Sequence, residues 1–139
     1  DLVIEYALKY EWIHYVGLVK GIEKATLLYL SKVMLNPGLV GLGILDSFLS
    51  NTPLVTTDCG LHSPEVVYLE NMTNGLMTLN DLDVFSSNVI SLFQNKKLLN
   101  EIREGCQLSG EKYTLENMAQ NFTDGILNAL NHASYRFPE

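Results

Sequence analysis

The residues of this chain best suited to chemistry are three closely spaced glycines, Gly38, Gly41 and Gly43, which follow a short apolar run, Val33-Met34-Leu35, and Pro37. Glycine lets a main chain approach a ligand closely, and proline ends strand pairing. N–H groups at the start of the following helix are then left to face an anion. The order strand, glycine turn, short helix, second buried strand is the local plan by which α/β proteins hold a nucleotide diphosphate. On this reading Gly41, Leu42 and Gly43 face the phosphates, and Asp46, one turn into the helix, is placed to hold a ribose hydroxyl pair.

Other residues of chemical interest read more plainly. Thr56, Thr57 and Asp58 end a strand on the edge where α/β folds place ligands, and are supporting candidates. His62, beside Ser63-Pro64-Glu65, reads as a loop histidine that orders a turn rather than as a catalytic base. Glu65 reads as a first-turn acid favoured by a helix N-terminus. Cys59 and Cys106 have no metal-ligand spacing with His14, His62 or His132 and read as ordinary thiols. No metal or other cofactor is expected. Asn71 and Asn121 match the N-glycosylation pattern, which chance explains in an asparagine-rich chain.

The elements that would position these residues follow from periodicity. Leu2, Ile4, Ala7 and Leu8 recur at helical spacing up to Tyr10. The β-rich run Trp12-Ile13-His14-Tyr15-Val16 predicts a strand that stops at Gly17. A helix is expected from Glu23 to Ser31, a strand at Val33-Met34-Leu35, a helix from Gly43 to Leu49 and a strand from Leu54 to Thr57. Ser63-Pro64-Glu65 opens another helix, with proline and an acid in its first turn. Asn74-Gly75 turns into a last strand, Leu76 to Thr78. Beyond Leu82 the pattern is helical: Asp83 to Phe93, Lys96 to Ser109 and Leu115 to Ala133, with Asn80-Asp81 and Thr114 as caps. The apolar stripe Met118, Phe122, Ile126, Leu127 and Leu130 is expected to serve core or interdomain packing. Strands alternating with helices argue for a parallel sheet in an α/β fold, with residues 82–139 as its helical closing segment.

At 139 residues and 47% hydrophobic content, the chain fits a single domain with a core of its own. Nine Lys and Arg against sixteen Asp and Glu give a net charge of −7. The basic residues are scattered, which speaks against nucleic acid as a partner. No apolar run reaches the roughly 20 residues needed to span a bilayer, and the N-terminus has no signal pattern. A cytoplasmic location is therefore expected, with a peripheral place at the inner membrane face for the full-length protein. The chain enters on helical material at Asp1, and the expectation is that it is part of something longer.

Five ordered blocks carry a resemblance: Pro37-Gly38-x-Val40-Gly41-Leu42, Leu45-Asp46-x-Phe48, Pro53-Leu54-Val55-Thr56-Thr57-Asp58, His62-Ser63-Pro64-Glu65, and Tyr68-Leu69 before Asn74-Gly75. Together they resemble the C-terminal domain of glycosyltransferase family 4 enzymes, of the GT-B fold. The resemblance implies residues 1–139 as one partial Rossmann-like domain that binds a nucleotide-sugar, lacking its first strands. It also implies a separate N-terminal, acceptor-binding domain in the same full-length chain. Gly41, Leu42 and Gly43 would face the diphosphate, Asp46 would hold the ribose, and Tyr15 and Gly17, with Val16 and Leu18, would lie beside the base. Many members carry a glutamate where this chain has Val40, and the basic pair that binds pyrophosphate has no counterpart here. Lys20-Gly21 is not that pair, because no strand fits between it and Pro37. The resemblance assigns no catalytic residue, and the implied activity is sugar transfer from a nucleotide-sugar to a glycan or lipid-linked acceptor, with the fragment alone inactive. The alternative is a noncatalytic nucleotide-binding or scaffolding α/β module. With its first strands absent, the sheet is expected either to pair the Ile13 strand with the Met34 strand or to be completed by a second copy of the chain.

Overall fold

A computed structural model describes residues 2–131. The element order is α1 (Leu2–Lys9), α2 (Gly21–Leu30), β1 (Met34–Asn36), α3 (Gly43–Leu49), β2 (Leu54–Asp58), a five-residue 3₁₀ turn (Pro64–Tyr68), β3 (Gly75–Leu79), α4 (Leu82–Gln94), α5 (Lys96–Lys112) and α6 (Leu115–Asn131). The three strands form one parallel sheet in the order β1-β2-β3, with Met34 opposite Leu54 and Val55 opposite Leu76. The chain is therefore α/β, a parallel sheet with helices, as the alternation of short apolar runs and helical periods predicts.

Both faces of the central strand are covered, so β2 reads as a continuous apolar and threonine run rather than an alternating one. Consecutive residues still point to opposite faces. Leu54 enters a cluster with Val40, Ile44, Phe48 and Cys106, and Val55 enters another with Leu76, Phe85, Leu92, Leu99 and Ile102. Helix α5 supplies residues to both clusters and thereby ties the α3 layer to the α4 layer.

Element ends follow local chemistry. β1 stops at Asn36 because Pro37 has no N–H to donate. Asp81 caps α4 by accepting from the Val84 amide at 2.9 Å, Asn95 does the same for α5 through Leu98 at 3.1 Å, and Thr114 accepts from the Asn117 amide at 3.1 Å.

The structure corrects two expectations and trims a third. No strand forms at Trp12–Gly17; the segment is turn and irregular chain, with Trp12 78% and Tyr15 53% exposed. β propensity records fit to a half-buried pleated surface, and this run has no strand beside it to create one. Accordingly, the pairing of Ile13 with Met34 does not occur, and the outer edge of β1 has no strand partner among the described residues. The helix expected at Ser63 is a 3₁₀ turn that ends at Tyr68. The predicted end of the last helix at Ala133, and His132, lie outside the described residues.

Candidate functional site

In a parallel sheet all strand ends of one kind share an edge. Here the C-terminal ends of β1, β2 and β3 bring together the loops 37–42, 59–63 and 80–81. This is the edge at which open α/β sheets hold ligands.

Loop 37–42 is tightly fastened. Gly38 has φ +143°, a conformation that only glycine adopts without strain. Its carbonyl accepts from Thr56 Oγ1 at 3.2 Å, and Asn36 Nδ2 donates to the Leu39 carbonyl at 3.1 Å. Val40 is fully buried; its carbonyl accepts from the Ser63 amide at 3.1 Å and its amide donates to His62 Nδ1 at 3.2 Å. A ladder of two bonds thus clamps the glycine turn to the loop after β2.

The next residues are different. Among the described residues no group accepts a hydrogen bond from the amides of Gly41, Leu42 or Gly43. The amides of Ile44 and Leu45 turn back onto the Gly41 and Leu42 carbonyls at 3.1 and 3.0 Å, and Leu42 at the cap position makes no side-chain cap bond. Three successive N–H groups at the start of α3 thus have no protein acceptor, and unpaired amides at a helix start are the groups an anion can use.

The predicted residues fall into place unevenly. Gly41, Leu42 and Gly43 supply the three open amides. The glycine character of Gly43 serves packing instead: a Cβ there would come within 3.3 Å of the Met34 side chain on β1. Asp46 is turned to α2, where its carboxylate meets Lys24 Nζ at 2.8 Å beside an apolar groove of about 600 Å³ lined by Ile22, Ala25, Tyr29 and Leu49. Both partners of this pair are partly exposed, so it holds α2 weakly. Tyr15 and Gly17 belong to the irregular segment after α1, and no hydrogen bond or ring contact joins them to the turn. Thr56 and Asp58 serve loop geometry, the latter accepting from the Gly60 amide at 3.3 Å. The hydroxyl of Thr57 and the Oε2 of Glu65 are buried without a hydrogen-bond partner.

His62 has a larger place than its sequence context gives it. A backbone amide can only donate, so Nδ1 carries a lone pair and the neutral ring has its hydrogen on Nε2. The half-buried Cys59 lies beside it, with Sγ 3.7 Å from Nε2 and 3.9 Å from Nδ1, and the thiol donates to the Leu61 carbonyl at 3.0 Å. This pair suits a metal poorly. A ligating Nε2 wants its hydrogen on Nδ1, given to an acceptor, and Nδ1 here faces a donor. Among the described residues no three His, Cys, Asp or Glu side chains are grouped to hold a metal ion, and no helix is long and apolar enough to cross a membrane. The link from Val40 to His62 was hidden in the sequence because it joins residues of two loops through a backbone amide.

Cys106, the other thiol, is fully buried and donates to the Asn74 carbonyl at 3.0 Å; burial pushes its pKa up to about 12. It is part of the core. No protein-family model and no curated protein matches the chain.

Proposed function

We propose that this chain is the donor-binding part of a glycosyltransferase of the family 4 type, in which the turn Gly41-Leu42-Gly43 holds the diphosphate of a nucleotide-sugar. The observation that supports this reading is the set of three open amides at the C-terminal edge of a parallel sheet. There they would take negative charge as it develops on a departing diphosphate, the kind of preorganised stabilisation that costs no reorganisation during reaction. No metal is needed for that role. Asp46 would reach ribose by leaving Lys24, an exchange made inexpensive by the exposure of the pair. The proposal carries with it an N-terminal acceptor-binding domain in the full-length protein, strands that pair with the open edge of β1 there or from a second copy, and a cytoplasmic location, peripheral at the inner membrane face.

One observation favours a second reading. Val40, which on the resemblance would stand at the place of a sugar-contacting glutamate, is fully buried in the α3 cluster, so this position supplies core and no carboxylate. A noncatalytic nucleotide-binding or scaffolding module fits that as well. Donor hydrolysis by the full-length protein separates the two.

The test of the binding site is ligand-observed NMR with UDP, GDP and ADP on this chain and on Leu42→Pro. Leu42 has φ −56° and follows the carbonyl that accepts from the Ile44 amide, the position of a tight turn that proline prefers. The substitution therefore deletes one open amide and leaves the fold in place. Losing a hydrogen bond to a charged group, about 1.5–3 kcal/mol, predicts roughly ten- to hundredfold weaker binding of the preferred nucleotide. Equal affinity for the two proteins, or no affinity of the unaltered chain for any of the three nucleotides, would overturn the assignment.

A further inference from the structure

Two apolar surfaces of this chain are left open, and their shapes are complementary. The first is α6. Every residue from Leu115 to Asn131 is exposed, and Leu115, Met118, Phe122, Ile126 and Leu130 recur every three or four positions, which lines them along one face. The second is the apolar groove of about 600 Å³ between α2 and α3. An amphipathic helix laid by its apolar face into such a groove is a recurring mode of recognition. The chain's own α6 does not lie there. Tyr113 seats the joint between α5 and α6 on the body, its ring 4.6 Å from that of Tyr68 and 6.1 Å from that of Phe48. Across this two-residue joint, Asn117 Nδ2 donates to the Lys112 carbonyl at 2.9 Å and to the Glu111 carbonyl at 3.3 Å, while the Asn117 amide donates to Thr114 Oγ1. The direction of α6 is thus set in its first turn, and that direction leaves its whole stripe uncovered.

Charge narrows the choice of partner. Helix α6 carries Glu116 and Asp124 and no Lys or Arg, so two α6 helices face to face would bring acids together with no cation between them. Lys20, Lys24 and Lys32 lie on or beside α2, against Glu23 and Asp46, the latter already paired with Lys24. In a chain of net charge −7 the groove is therefore an apolar face with a positive surround, and α6 is an apolar face with a negative one.

We propose that α6 of one copy docks into the α2–α3 groove of a second copy, and reciprocally, so that an exchange of helices closes a two-fold dimer. The root of α6 is packed on Phe48, adjacent in sequence to the groove residue Leu49, so arm and groove start from the same part of the molecule and one two-fold axis serves both contacts. The surface for this is present. The chain exposes 10496 Å², about 3,300 Å² more than a compact monomer of its mass, against the roughly 800 Å² per partner that a stable interface buries. The assignment is independent of whether the glycine turn takes a nucleotide.

The experiment is sedimentation equilibrium of the chain from micromolar to millimolar concentration at physiological salt, repeated on Phe122→Asp and Ile22→Asp. Phe122 is 71% and Ile22 81% exposed, so neither change touches the core. The unaltered chain is expected to pass from 15.6 kDa to twice that mass as concentration rises. Each variant damages both contacts of the two-fold pair and should raise the dissociation constant by on the order of 10²-fold or more. An equimolar mixture of the two variants is the decisive sample. Each supplies the surface that the other lacks, so the mixture should form a one-to-one pair held by a single intact contact, at concentrations where either variant alone is monomeric. A chain that stays monomeric throughout would overturn the proposal. So would a dimer lost in Phe122→Asp but unaffected by Ile22→Asp, which would mean that α6 pairs with α6, and a dimer unaffected by both, which would place the contact elsewhere, as at the open edge of β1. Failure of the mixture to associate would overturn the reciprocal exchange even if both variants are monomeric.

Discussion

At the scale of single residues, the positions that matter most are those where a hydrogen stands in for a side chain or a thiol for a methyl. Gly105 lies inside α5, where alanine in place of glycine ordinarily adds about 1 kcal/mol to a helix. Here a Cβ would sit 1.9 Å from the Thr73 carbonyl oxygen, a backbone atom that cannot move aside without displacing the turn before β3. Gly105→Ala is therefore expected to destabilise by roughly 3 kcal/mol, the upper end of an overpacking penalty, whereas Gly125→Ala on α6, with open space around it, should stabilise by up to about 1 kcal/mol. Urea unfolding of the two variants checks the opposite signs. Cys106 gives a pH signature. Its thiol pKa is raised from 9.0 to about 12 by burial, so above pH 9 the unfolded chain releases a proton that the folded chain retains. Stability is thus intact below pH 9 and falls as pH rises toward 12, by about 1.4 kcal/mol per pH unit from this group. Urea midpoints of the native chain and of Cys106→Ala at pH 7, 9 and 10 should show the native chain losing more between pH 9 and 10. Parallel losses would refute the assignment.

At the scale of elements, the sequence told most where local signals and burial agree. Gly43–Leu49 was legible to the residue because proline, glycine and an apolar period all mark its ends, and β2 was legible because a short apolar run after Pro53 has no other use. The run at Trp12–Val16 misled because β-rich composition records what a residue tolerates; whether a neighbouring strand exists is a property of the rest of the chain. For the site, the glycine turn was readable, but which of its glycines are conformational and which serve packing was not, since that depends on Met34 and Ser63 arriving from elsewhere. Helix α2 shows how an element with no buried residue is held. Thr52 Oγ1, fully buried, donates to the Leu28 carbonyl at 2.7 Å, which also accepts from the Ser31 amide at the C-cap, and Arg103 Nη2 donates to the Ser31 carbonyl at 3.1 Å, so the C-terminal end of α2 is fixed by two side-chain donors aimed at its last turn and cap. Thr52→Val keeps the shape and removes one of them. The expected cost is about 1–2 kcal/mol, with faster amide exchange along α2 and unchanged exchange in β2. Uniformly faster exchange in both elements would mean that α2 is not separately tethered.

At the scale of the whole molecule, surface is the informative quantity. The chain exposes 10496 Å², against about 7,200 Å² for a compact monomer of its mass. Among the described residues, exposed large apolar side chains gather in recognisable places. Helices α1 and α6 bury no residue, and Leu115, Met118, Phe122, Ile126 and Leu130 form an exposed apolar stripe along α6. A helix of this length without tertiary burial is marginal in water, because propagation barely repays nucleation. The body formed by β1 to β3 with α3, α4 and α5 carries both core clusters and should unfold as one unit. Amide hydrogen exchange at low protein concentration is therefore expected to rank the chain in two tiers. Slow exchange, limited by global unfolding, should cover β2, β3 and the Leu99 to Cys106 segment of α5; α1 and α6 should exchange through local opening that costs almost nothing. If α6 proved as protected as α5, its stripe would have to be covered, and dilution would then distinguish contact within the chain, which persists, from contact between copies, which is lost. The net charge of −7 opposes close approach of two copies at low salt, so a protection of α6 that appears only on adding salt would identify self-association as its source.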